Sequence, residues 1–284
     1  LDLFYEAVSS SHLGDEKRLK EIVAEQCSSL QMQLISAGHS TAVSRGLAYL
    51  SEPSRYDEAF SGISYYRFLK ELDQNFESHK ENLIRVLKFL VENIFVRDRM
   101  LAGITCAAAD YPVFEKAFTT LAGHLPEKKE TEMPKPDLIQ EEIPCNEGFL
   151  TAGQIQYVAR VGDYRKQGIG YSGVYKVLRS ILRYEYLWNE VRVKGGAYGI
   201  MCEFSDIGAG YFVSYRDPKL AETNEVYRSV PDYLRNFEAD ERDMTKFIIG
   251  TISAVDTPLP PRAKGGRSMY AYITGITEED VQRE

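Results

Sequence analysis

Apolar residues recur three and four positions apart through most of the first 125 residues, a spacing that predicts helix after helix. Asp15 caps a helix carrying Leu19, Ile22, Val23, Cys27, Leu30 and Leu34 on one face, and Gly38 ends it. A second helix is expected from about residue 40 to 51, stopped by Pro53. Gly62 interrupts the pattern, and Ile63 to Phe76 reads as helix again. Ser78-His-Lys-Glu81 has the form of a capping box. It would open a helix with Leu83, Val86, Leu87, Leu90, Val91 and Ile94 in a stripe. Met100 to Ala107 is predicted to be a strand, and Pro112 to start a helix reaching about Leu125.

The rhythm changes after residue 126. Four of the eleven prolines fall within 126–146 among alternating charges, which predicts a linker between a region 1–125 and a domain 147–284. Gly153 to Val161 alternates as a strand. Tyr171 to Val191 predicts one helix with Val174, Leu178, Ile181, Leu182, Trp188 and Val191 inward. Gly195 and Gly196 then break the chain. Ala197 to Phe204 alternates, with Tyr198, Ile200, Cys202 and Phe204 on one face, and Tyr211 to Tyr215 returns after a turn at 205–210. Helices are expected at about 220–237 and 240–255. The fold class is therefore α+β: a helix-rich first region, part of a truncated α+β domain, followed by an antiparallel sheet backed by helices. The chain starts at Leu1 rather than Met, and Thr277 to Glu284 reads as a capped helix start. Both features predict a piece of a longer protein.

Composition narrows the function classes. Net charge is −8 and no segment has a basic excess, so nucleic acid is excluded as an expected partner. No run approaches the length of a membrane-spanning helix, so no membrane partner is expected. Cys27, Cys106, Cys145 and Cys202 have neither metal-clip nor redox-pair spacing and read as small buried residues in a reducing compartment. No two of His12, His39, His79 and His124 lie four residues apart, so neither H-E-x-x-H nor H-x-x-E-H can be written. His39 and His79 read as local hydrogen-bonding residues. No G-x-S-x-G elbow exists, and the glycines of Lys194-Gly-Gly196 follow a helix where a phosphate loop must precede one.

The remaining chemistry lies in Val191 to Gly199, VRVKGGAYG. One reading is structural. Arg192 complements a helix C-terminus, Gly195 supplies the left-handed cap, and Tyr198 starts a strand. The other is functional. Guanidinium and phenol are both donors, and across the tight Gly195–Gly196 turn they grip one carbonyl oxygen as an oxyanion-type site.

Leu187-Trp-Asn-Glu-Val-Arg192-Val-Lys-Gly-Gly-Ala-Tyr198-Gly199 resembles the signature of the last domain in pitrilysin/insulinase-type zinc metallopeptidases. Ser214-Tyr-Arg-Asp-Pro218, Phe247-Ile-Ile-Gly-Thr-Ile252 and Gly275-Ile-Thr-Glu-Glu279 are similar to the presequence-protease and falcilysin branch. Ser36-Ala-Gly-His39 and Gly62-Ile-Ser-Tyr-Tyr66 resemble its preceding domain. The resemblance implies a two-half clamshell that degrades unfolded peptides. The N-terminal catalytic half holds zinc, and the zinc-free C-terminal half, to which this chain is similar, supplies Arg192 and Tyr198 to the peptide carbonyl. On that reading the chain alone binds no zinc and is inactive, and its partners are the peptide substrate and the N-terminal half. The alternatives are a non-catalytic peptide-binding or structural subunit of the same fold, or a standalone binding domain. The bacterial cytoplasm is the expected compartment, with an organelle matrix as the alternative.

Overall fold

The structure, a computed structural model, describes residues 1–127, 146–151 and 153–283. Most of the expected linker, Cys145 included, lies outside the described residues. In chain order the helices α1 (Asp2–Ser9), α2 (Glu16–Ser36), α3 (Gly38–Ala48), α4 (Glu52–Ser61), α5 (Ile63–Gln74), α6 (Phe76–Ile94) and α7 (Tyr111–His124) come first. Strand β1 (Ala159–Asp163) and helix α8 (Val174–Ile181) follow, and α8 runs into a π-helix, Leu182–Lys194. Then come β2 (Gly199–Phe204), β3 (Ala209–Tyr215), α9 (Ala221–Arg228), α10 (Val230–Arg235), α11 (Glu241–Val255), α12 (Pro261–Thr274) and α13 (Glu278–Arg283). This is the expected α+β class, with a three-stranded antiparallel sheet in the order β1-β3-β2.

The described residues form two compact units: 1–26, 69–127 and 258–282 in one, 27–68 and 146–257 in the other. In the first, Phe76, Val23 and Leu72 make a small core joined by Leu19 and Leu83. Asp15 caps α2 as expected, its Oδ1 accepting from the Arg18 N–H at 3.0 Å. Thr277 and Asp280 cap α13 reciprocally, each side chain accepting from the other's backbone N–H. The capping box at Ser78 does not form. Helix α6 starts earlier, at Phe76, and the Ser78 hydroxyl donates back to the Asn75 carbonyl instead. Val86, Leu90 and Ile94 of the expected stripe are exposed. Residues 100–107 are not a strand. They run without a paired neighbour and are largely exposed, and an apolar stretch with no edge to join gains nothing from extension.

The second unit carries the sheet. β2 and β1 flank β3, with Ile200 opposite Ser214 and Ala159 opposite Val213. Leu182, Leu187, Val191, Ile200, Cys202, Val158 and Tyr227 are the heart of its core. Burying one such leucine stabilises by about 1.5–3 kcal/mol. Cys202 is among these buried residues, and burial pushes its thiol up to about 12, far from a nucleophile's range. Cys106, expected to be buried, is exposed. Helix α3 packs on β1 so closely that a Cβ on Gly46 would meet Val161 Cγ2 at 2.9 Å. Pro53 does not simply stop a helix. It occupies the first turn of α4, behind the Ser51 cap.

Arg45 of α3 is the polar centre of this unit. Its Nε donates to Glu147 Oε2 at 2.7 Å and its Nη2 to Glu147 Oε1 at 3.0 Å, and it packs on the Tyr49 ring. Buried Glu58 lies 3.7 Å from Nη1 and accepts the Ser64 N–H at 2.9 Å. The bidentate Arg45 bond holds the Glu147 carboxyl below its usual range. A depressed folded pKa means stability that is present above the unfolded carboxylate pKa and lost as pH falls through the folded one. Glu147→Gln should therefore lose about 1 kcal/mol at neutral pH, allowing for solvent screening at this partly exposed group. In urea melts at pH 7 and pH 3, the gap between wild type and variant should shrink at pH 3.

Candidate substrate-gripping site at the diglycine bend

The bend is built by how the π-helix ends. Leu182, Leu187 and Val191 are buried at spacings of five and four, wider than an α-helical stripe and matched to i→i+5 winding. Counting at 3.6 selects Trp188 as an inward position. The wider winding buries Leu187 and leaves Trp188 half-buried against the core's edge. At the helix end the Val191 carbonyl accepts from Ala197 N–H at 3.1 Å and the Arg192 carbonyl from Gly196 N–H at 3.0 Å. This is a Schellman-type closure opened by one residue. Gly196, not Gly195, takes the left-handed conformation, at φ 87°. Gly195 stays right-handed and is required for a different reason: a Cβ there would meet the Val191 carbonyl oxygen at 2.3 Å.

The closure turns the chain directly into β2. Tyr198 N–H donates to the carbonyls of Tyr215 (3.0 Å) and Arg216 (3.3 Å), which pins its backbone to the end of β3. That end is itself clamped. Arg216 lies in the left-handed region at φ 50°. The next residue, Asp217, is fully buried and accepts from Lys219 N–H and the Thr223 hydroxyl, both at 2.8 Å. The Ser214 hydroxyl accepts from Val158 N–H at 3.1 Å. The Ser214 to Pro218 motif is thus a scaffold for the backbone of Tyr198.

The two polar side chains meet over the bend. The Arg192 guanidinium carbon lies 5.9 Å from the Tyr198 ring centroid and 3.9 Å from the Trp188 ring centroid. Tyr198 is 67% exposed and Arg192 half-buried, so both open to solvent. Among the described residues, neither the Arg192 guanidinium nor the Tyr198 hydroxyl has a hydrogen-bond or ion-pair partner. The pair is therefore a cation and a phenol with unused donors on one side of the chain. Both can point donors at a single acceptor.

Two residues absent from the expected site also belong to its surroundings. Tyr215 packs edge-on against Tyr198, centroids 5.9 Å apart, and His39 packs edge-on against Tyr215 at 4.9 Å. His39 Nδ1 is buried without a partner among the described residues, contrary to the local hydrogen bond expected of it, and burial lowers its pKa. His79 ion-pairs with Glu71 at 3.3 Å when protonated. No sequence spacing connects His39 with Tyr215, because the packing of α3 on the sheet brings them together. No group of three or more His, Cys, Asp or Glu among the described residues is placed to hold a metal ion.

Two family models match the chain. One, described as the PreP C-terminal domain, covers residues 146–284, and the other, a peptidase-associated region, covers 1–72. Protein HypA of Clostridium perfringens is 38% identical over the whole chain, which spans 29% of that protein. Presequence protease 1, chloroplastic/mitochondrial, of Arabidopsis thaliana is 31% identical over 95% of the chain and 25% of its own length. The mitochondrial presequence protease of Xenopus tropicalis is 24% identical over the whole chain and 30% of its own length. The chain thus spans less than a third of each relative.

The geometry of the bend sets a stability test. Gly195→Ala forces its Cβ against the Val191 carbonyl and should destabilise by about 1–3 kcal/mol, the usual range for overpacking. Thermal unfolding followed by circular dichroism should show a lowered Tm, whereas Gly250→Ala, where an added Cβ meets nothing within 4 Å, should leave it near wild type.

Proposed function

Because the chain belongs to the presequence-protease family of peptidases, carrying their associated region and their C-terminal domain, we propose that its diglycine bend is the substrate grip of a longer endopeptidase acting on unfolded peptides. The observation that supports this most is the state of Arg192. Its cation is ordered by aromatic faces and its donors stay unused, beside an exposed phenol on the same side of the bend.

A peptide lying across the bend offers its carbonyl oxygens as acceptors. Arg192 contributes N–H donors in a rigid plane, and Tyr198 contributes one O–H. When a peptide bond is attacked, negative charge grows on the carbonyl oxygen. Donors already aimed at that oxygen stabilise the transition state more than the ground state. The backbone clamps on Tyr198 and the closure around Val191 fix both donors before substrate arrives, which is what preorganisation requires. Zinc does not fit the described residues, and no step of this proposal runs through it. On this proposal the metal belongs to the N-terminal half of the longer protein, outside this chain. That half is also the partner against which the grip closes on the peptide. The bacterial cytosol is the compartment this proposal takes, since the bacterial relative shares 38% identity against 31% and 24% for the two organellar ones.

In the complete protein, Arg192→Ala and Tyr198→Phe should each lower kcat on an unstructured peptide by about 10²–10³-fold, the usual effect of losing one oxyanion donor. Melting temperature and metal content should stay at wild-type values. Wild-type kinetics in both variants would remove the proposed role.

A further inference from the structure

We infer that Trp188 is the positioning residue that presents Arg192 to the substrate, holding the guanidinium by its flat face so that its N–H edge stays available. This rests on the substrate grip proposed above. Trp188 lies four residues before Arg192 on the same π-helix, and the guanidinium carbon sits 3.9 Å from the indole ring centroid. At that distance the two groups are in direct contact. A guanidinium stacks this way because its charge is spread over a plane. The Tyr198 ring lies 5.9 Å from the same carbon. The indole is half-buried and packs against the core cluster that includes Leu187 and Val191. The hydrophobic core therefore fixes the platform, and the cation rests on its outer surface.

Other arginines of this chain show the alternative. Arg179 is held by Glu203, Arg228 by Glu225, Arg235 by Asp232 and Arg45 by Glu147. A carboxylate orders an arginine well, but it occupies the N–H donors and offsets the charge. Arg192 meets no acid among the described residues. Its recorded contacts are the two aromatic faces. A stack engages only the face of the guanidinium and leaves the in-plane donors free to meet an oxygen on which charge develops. The π winding has a part in this. With Leu187 taking the buried position, Trp188 is left at the rim, beneath Arg192, instead of inside the core.

The test is a double-mutant cycle in the complete protein, read as kcat/KM on an unstructured peptide, with melting temperature as control. Trp188→Leu should lower kcat/KM about tenfold, the rate equivalent of a partly desolvated cation–π contact. Trp188→Phe, which keeps an aromatic face, should recover to within about threefold of wild type. Added to Arg192→Ala, Trp188→Leu should cause no further loss. A merely structural tryptophan would act equally in both backgrounds, so an additive cycle overturns the inference, as does an unchanged kcat/KM in Trp188→Leu. Should the leucine variant melt below the assay temperature, Trp188→Met carries the same cycle. If Arg192→Ala alone keeps the wild-type rate, the grip itself falls and this inference with it. If Arg192→Ala is impaired and the cycle is additive, only the role of Trp188 falls.

Discussion

The Val191 carbonyl is the point on which the site depends. It accepts the Ala197 N–H across the bend, and its oxygen leaves no room for a side chain at Gly195. A glycine must follow at 196 because the chain there turns through the left-handed region. The two glycines thus answer two separate constraints within one closure. Together they bring a π-helix end and a strand start so close that side chains six residues apart face one another. Val191 itself is held by the core beneath it, so the geometry of Arg192 and Tyr198 is inherited from packing.

The rest of the second unit supports that closure from the other side. Tyr198 hangs from the end of β3 through its own N–H, and the end of β3 is shaped by Arg216 and locked by Asp217. Tyr215 and His39 pack behind Tyr198, so α3 also contributes to the platform under the phenol. Polar groups at the bend fall into two kinds. Asp217, Ser214 and Thr223 are buried and satisfied within the protein, whereas Arg192 and Tyr198 are open with unused donors. That division, rather than any perturbed ionisation, marks the second kind as a place where a ligand completes the hydrogen bonding.

Periodicity and capping rules read most of the architecture correctly. Asp15 and Thr277 cap the helices they were expected to cap, and the alternation of Ile200, Cys202 and Phe204 reports the buried face of β2. The misses share a cause: each depends on tertiary context. Residues 100–107 have strand-like composition but no paired edge. Trp188 looks like a core position only if the helix is wound at 3.6 residues per turn, and the spacing 182, 187, 191 was the available signal that it is not. The Gly-Gly pair announced a bend, but which glycine takes the positive φ depends on where the helix closes. Arg192 and Tyr198 were legible as a pair of donors. Their aromatic support by Trp188, Tyr215 and His39 was not, because the latter two come from elements far away in sequence.

The central claim is that Arg192 and Tyr198 converge on one acceptor of a bound peptide. The most direct measurement is a crystal structure of the complete protein with an unstructured peptide trapped by an inactivating substitution outside this chain. The account predicts one peptide carbonyl oxygen within about 2.7–3.2 Å of both an Arg192 nitrogen and the Tyr198 hydroxyl. A peptide that binds elsewhere, with both side chains left in solvent, would contradict it.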